Sequence, residues 1–200
     1  WTLVLINHLL KISGKSNILE LWPNLELYVH GGVNFSPYLH SFKKLIPRAD
    51  MNYVETYNAS EGFFGFQDQK DSNELLLLVN HGVYFEFIAS NELEEENPKC
   101  IGLDEIELHT NYALVISTNS GLWRYLIGDT IRFTSKSPYR FKFTGRTRSF
   151  INAFGEELIL ENAEKAITTT CMQCDAEIAD YTAAPIYLTN SSKGAHEWLI

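Results

Sequence analysis

Apolar positions along the chain recur at two different spacings, and the changes of spacing divide it. Leu3, Ile6, Leu9 and Leu10 recur at helical intervals, which predicts a helix over residues 1–11 with Gly14 as its stop. Residues 18–21 read as a short helical turn closed before Pro23. Residues 25–30 alternate and run into Gly31-Gly32, a strand that ends in a tight loop. Ser36 can cap, and Pro37 suits the first turn of, a helix over residues 37–45. Residues 51–55 form the next strand. Strand, loop, helix, strand is an α/β unit, and such folds bind ligands in loops at the carboxyl ends of their strands.

From Glu74 onward the spacing is that of short strands. Residues 75–79 and 83–88 flank Asn80-His81-Gly82, a hairpin signal. Further strands are expected at 105–109, 112–118, 121–126, 130–134 and 139–144, with turns at Asn119-Ser120-Gly121 and Ser137-Pro138. This pattern predicts an antiparallel barrel or small sheet. The acidic run Glu92 to Glu96 reads as a solvated loop. A strand at 149–152, a turn at 154–156, a helix over 158–167 and strands at 177–181, 185–188 and 197–200 suggest the start of a small α+β domain. The expected organisation is an α/β subdomain over 1–72, a barrel-like subdomain over 73–144, a hinge at 145–148 and a partial α+β domain over 149–200. The chain opens on Trp1 and closes on the apolar Trp198-Leu199-Ile200, so it is expected to be a fragment.

Composition narrows the function classes. The formal net charge is −9, which disfavours general nucleic-acid binding and leaves room for a small anionic ligand held by local dipoles and single arginines. The apolar run Leu75–Val79 falls far short of the ~20 residues of a membrane span. The first residues lack a basic segment and a cleavage site, so a cytoplasmic protein is the default. Three cysteines, including Cys171 and Cys174, read as ordinary reduced thiols. The sequons at Asn58 and Asn190 read as chance without a secretion signal. Gly14-Lys15-Ser16 is not a phosphate loop, since Leu9 stands where that pattern needs a glycine. His30, His81 and His109 form no metal-ligand pattern, no Ser-His-Asp arrangement can be argued from spacing, and nothing signals an oligomeric state.

Two stretches carry candidate chemistry. In Tyr57-Asn58-Ala59-Ser60-Glu61-Gly62, Glu61 can hold Mg2+ against phosphate oxygens, because Mg2+ takes one or two protein carboxylates plus the phosphates. Ser60 can donate to an α-phosphate, and Tyr57 can stack on a flat base. The competing reading is a helix N-cap made by Ser60 or Glu61. In the second stretch, Asp129 follows Gly128 and can accept hydrogen bonds from two vicinal hydroxyls, as a ribose offers. It can equally be a plain turn residue. Arg146 is a donor for ribose or phosphate oxygens, or half of a surface ion pair.

The order of these motifs resembles the adenylate-forming superfamily of acyl-CoA ligases, luciferases and peptide-synthetase adenylation domains. Glu61-Gly62-Phe63-Phe64-Gly65, the run from Gly82 to Ile88 and Leu122-Trp123-Arg124-Tyr125 resemble, within it, the auxin-responsive-promoter (Gretchen Hagen) family of acyl-acid amido synthetases, and its bacterial branch more closely. The resemblance implies part of a luciferase-like adenylating fold: the end of an α/β amino-terminal domain, a β-barrel subdomain and the start of an α+β carboxy-terminal domain. It implies ATP and Mg2+ as cofactors, a small carboxylic acid and an amino acid as substrates, and an acyl-adenylate intermediate. It places Tyr57 at the adenine, Ser60 at the α-phosphate, Glu61 at Mg2+, Asp129 and Arg146 at the ribose, and Gly31, Gly32 and Val33 beside the adenine or the acyl pocket. Asn58 and Ala59 complete that wall. The sequence departs from the family pattern at Leu126, where an arginine is usual, and at Thr147-Arg148, where a lysine or acidic hinge residue is usual. The family's phosphate-binding loop has no counterpart, so these 200 residues alone are expected not to adenylate. The alternatives are an acyl-CoA ligase with a thiol acceptor and a degenerate nucleotide-binding module.

Overall fold

The computed structural model describes residues 2–32, 35–147, 150–151, 158–186 and 195–200. Helix α1 spans Thr2–Ser13. A 3-10 turn at Ile18–Glu20 follows, closed by a capping box in which Asn17 accepts from Leu19 N while Glu20 reaches back to the cap. Strand β1 (Leu27–Gly31), helix α2 (Leu39–Leu45) and strand β2 (Asn52–Ala59) build the expected α/β unit, with β1 and β2 parallel. A 3-10 turn at Ser36–Tyr38 leads into α2, and the expected Ser36 cap is not made, because Phe35 stands at the N-cap without a side-chain bond. Helices α1 and α2 bury Ile6, Leu10, Phe42 and Ile46 with Ile18, and Tyr28 of β1 and Tyr53 of β2 pack against them.

The remaining strands are β3 (Gly62–Phe66), β4 (Leu75–Leu77), β5 (Val83–Ala89), β6 (Cys100–Ile101), β7 (Asn111–Thr118), β8 (Tyr125–Lys136) and β9 (Tyr139–Arg146). They join β1 and β2 in one nine-stranded sheet of order β1-β2-β3-β4-β9-β8-β7-β5-β6. The carboxy-terminal part holds β10 (Phe150–Ile151) paired with β11 (Leu158–Ile159), helix α3 (Leu160–Cys174), and β12 (Thr182–Ile186) paired with β13 (Ala195–Leu199). Lys44 of α2 reaches Glu177, just past α3, at 2.6 Å.

The sheet is rolled but open, which corrects the expectation of a barrel. Phe64 of β3 and Phe85 of β5 sit five strand positions apart, which in a flat sheet would be roughly 24 Å. Their ring centroids are 6.1 Å apart. The inner faces of β2 to β5 and β7 to β9 therefore enclose one core, with Phe64, Phe87, Phe133 and Phe141 fully buried. Among the described residues no backbone ladder joins β3 to β5, so side chains rather than hydrogen bonds complete the roll.

Several expected strands are corrected. Residues 75–79 and 83–88 do not form a hairpin: β4 lies between β3 and β9, and β5 pairs with β7 and β6. Residues 105–109 are turns around the buried Ile106, with His109 at φ +67° and its N–H donated to Phe133 O. The expected strands at 121–126 and 130–134 merge into β8, which begins only at Tyr125. Residues 158–159 belong to β11 rather than the helix, and 177–181 are irregular with the strand following at β12. The expected turn at 154–156, Val33, Arg148 and the Asn190 sequon lie outside the described residues.

Candidate functional site

Strand β2 runs straight through the first motif. Tyr57, Asn58 and Ala59 are its last residues, Ser60 and Glu61 are the two-residue turn, and Gly62 opens β3 opposite Ala59. No helix begins there, so the N-cap reading of Ser60 and Glu61 falls. The alternation of the strand turns Tyr57 into the core and Asn58 outward, and the turn leaves Ser60 exposed. Gly31 pairs with Thr56 across the parallel ladder, and a Cβ there would lie 2.4 Å from Thr56 O, so only glycine allows this approach. Gly32 follows at φ +81°.

Strand β8 supplies the second motif. Gly128 takes φ +88°, a conformation open to glycine, and the next residue, Asp129, turns inward to be buried opposite Arg146 of β9. The Thr147 N–H donates to Gly128 O at 2.9 Å, which ties the end of β9 to this kink. A Cβ on Gly128 would come within 3.3 Å of Arg146 Nη2, so the missing side chain also leaves room for that guanidinium.

The two motifs meet across the mouth of the rolled sheet. Strands β2 and β8 are four positions apart, roughly 19 Å if flat, yet the Tyr57 hydroxyl donates to Asp129 Oδ2 at 2.7 Å. Arg146 Nε lies 3.4 Å from Asp129 Oδ1. Burial pushes the Asp129 carboxyl up, opposed by the Tyr57 hydrogen bond and the Arg146 charge, with Glu61 near enough to add to the upward push. Burial first, then the Asp129 charge, holds the Tyr57 phenol far above its usual value, so it stays a donor. Glu61, Asp129 and Arg146 thus share one electrostatic neighbourhood, and Asp129 is not a plain turn residue. Arg124 takes no part in it, since it pairs with Glu86 at 3.2 Å.

The donors suit a metal carried largely by phosphate oxygens rather than a protein cage. Glu61 offers one carboxylate at an accessible turn, and no group of three or more His, Cys, Asp or Glu stands together among the described residues. A cavity of about 1000 Å3 opens elsewhere, beside β1 and the amino-terminal half of β2, where His30, Tyr53, Glu55 and Glu164 line it. None of Tyr57, Ser60, Glu61 or Asp129 borders it. Nothing in the sequence marks that cavity. It collects residues from β1, β2, α2 and α3, which only the fold brings together.

Comparison with known proteins identifies relatives of this chain. The model of the GH3 family N-terminal domain matches residues 1–51, and that of the GH3 family central domain matches residues 76–146. The indole-3-acetic acid-amido synthetase GH3.5 of Arabidopsis thaliana is 28% identical over 213 residues, covering 93% of this chain and 34% of that protein. The indole-3-acetic acid-amido synthetase GH3.3 of the same plant is 26% identical over 196 residues, covering 90% of this chain and 32% of that protein. The structure of the AtGH3.15 acyl acid amido synthetase in complex with 2,4-DB superposes with a TM-score of 0.68 at 19% identity, covering 90% of this chain and 32% of that one, and so shares its fold. The chain spans about a third of the length of these relatives. With amino-terminal and central domain models matched in order along it, the chain belongs to the GH3 family.

Proposed function

We propose that the protein carrying this chain is an ATP-dependent acyl-acid amido synthetase, and that these residues form one wall of its adenylate site. The observation that carries this reading is the meeting of Tyr57, Asp129 and Arg146, within reach of the charge of Glu61, in a chain whose relatives are named amido synthetases. A carboxylate oxygen of the acid attacks the α-phosphorus of ATP, the bond to pyrophosphate breaks, and an acyl-adenylate forms. The amine of an amino acid then attacks the acyl carbon, AMP leaves with its electron pair, and loss of a proton from nitrogen gives the amide.

In this reading Asp129 accepts hydrogen bonds from the ribose hydroxyls, and Arg146 beside it adds a donor. Ser60, exposed at the β2–β3 turn, donates to an α-phosphate oxygen. Glu61 holds Mg2+, which when bound neutralises charge on the phosphates. Gly31, which ends β1, and Gly32 and Val33, which follow it in the sequence, border the adenine or the acyl group, with Asn58 and Ala59 on the neighbouring strand. The superfamily's luciferase-like architecture and a cytoplasmic location belong to the same proposal. Cys100, Cys171 and Cys174 are unpaired, which suits a reducing compartment, and no helix among the described residues is long and apolar enough to cross a membrane.

Product analysis tests the reading. The whole protein, given ATP, Mg2+ and a panel of carboxylic acids, is expected to yield an N-acyl amino acid when amino acids are supplied. A thioester formed with coenzyme A and no amide would favour the acyl-CoA ligase alternative. No product with either acceptor would favour the degenerate module.

A further inference from the structure

The role of Tyr57 differs from that of a base-stacking aromatic. The residue is 7% exposed, and its ring is packed against the rings of Phe64, Phe143 and Phe141, at centroid distances of 5.1, 5.8 and 5.9 Å. The ring therefore has core neighbours where a stacked base would need open space. Its one polar atom spans the mouth of the rolled sheet to a carboxylate that is itself almost buried. A carboxylate offers about four acceptor positions. Tyr57 occupies one on Oδ2, and Arg146 stands at the other oxygen, Oδ1. The Asp129 side chain keeps 12% exposure, so acceptor capacity remains on the open side.

We propose that Tyr57 is a positioning residue, whose hydroxyl fixes the rotamer of Asp129 so that the remaining lone pairs of the carboxylate meet the two ribose hydroxyls of ATP. This rests on the reading of Asp129 as the ribose acceptor. Without the phenol, a desolvated carboxylate next to Arg146 turns toward the guanidinium, and its acceptor positions leave the ribose. The phenyl ring of Phe fills the same core space, so the substitution Tyr57→Phe removes the hydroxyl alone.

The test compares affinities for ATP and 2′,3′-dideoxy-ATP in the whole protein, for the wild type, Tyr57→Phe and Asp129→Ala. Wild type is expected to prefer ATP. Tyr57→Phe is expected to weaken ATP binding about tenfold, the low end for a hydrogen bond to a charged group. The same variant is expected to leave binding of the dideoxy nucleotide and the KM for the acid unchanged. A structural defect would weaken both nucleotides together. An equal loss for both, or no loss for either, overturns the positioning role, while a wild-type preference for ATP that Asp129→Ala abolishes keeps the ribose reading. A wild type that binds the two nucleotides equally overturns both. Wild-type protein carrying 3-fluorotyrosine, a stronger donor that keeps the ring, is the second variant should Tyr57→Phe unfold. There the ATP affinity is expected to change and the dideoxy affinity to stay; a change in both, or in neither, overturns the role.

Discussion

Glu55 shows what one residue owes to the fold. It stands on β2 two positions before Tyr57, next to the cavity, and its carboxyl is pushed up to about 7, first by burial and then by the charge of Glu164. The fold therefore holds a proton that the unfolded chain gives up near 4.5. Folding is favoured while that proton is bound, so this site's contribution is full below about pH 4.5 and is lost as pH rises through about 7. Replacing Glu55 by Gln is expected to remove that slope and raise stability at pH 8 by up to about 3 kcal/mol, since each pKa unit is about 1.4 kcal/mol. Denaturant unfolding at pH 5 and pH 8 measures it; an unchanged slope would mean that Glu55 is solvated. No sequence signal marks Glu55, because its environment comes from α3 and the 67–73 loop. Glu61, Asp129 and Arg146 could be picked out as candidates, since a carboxylate at a turn and a Gly-Asp pair are local patterns. The inward turn of Tyr57 was not. Its face of the strand depends on register with β3 and on the roll that brings β8 near.

At the level of elements, local periodicity located most strands and both long helices, but not their partners. Leu75–Leu77 and Val83–Ala89 look like a hairpin because Asn80-His81-Gly82 is a good turn, yet β4 is drawn between β3 and β9, where Leu75 and Leu77 are buried. That pairing is long-range and leaves no local trace. Ile106 misled in the opposite sense, being a core residue carried by turns. The contact that completes the roll, Phe64 on Phe85, is likewise non-local. Truncating Phe64, which is fully buried and also packs on Tyr57, is expected to cost about 3–5 kcal/mol. Urea unfolding reads this directly. A loss under about 1 kcal/mol would show that the roll is held elsewhere.

At the scale of the whole molecule, the rolled sheet is what brings the two motifs together. Rolling brings β2 and β8 together, so Tyr57, three residues before the Ser60–Glu61 turn, reaches Asp129 beside Arg146. The α/β character, the β-rich middle and the small α+β end were legible from changes in hydrophobic period. The open rather than closed roll was not, because closure depends on ladders between distant strands. The most direct measurement of the central claim is acid-dependent exchange of labelled pyrophosphate into ATP by the whole protein, compared with Glu61→Ala and Asp129→Ala. The account predicts exchange in the wild type and at least about a hundredfold loss in Glu61→Ala, with a smaller loss in Asp129→Ala that appears mainly in the KM for ATP, in line with removing charge-stabilising and binding groups respectively. Wild-type exchange rates in both variants would contradict it.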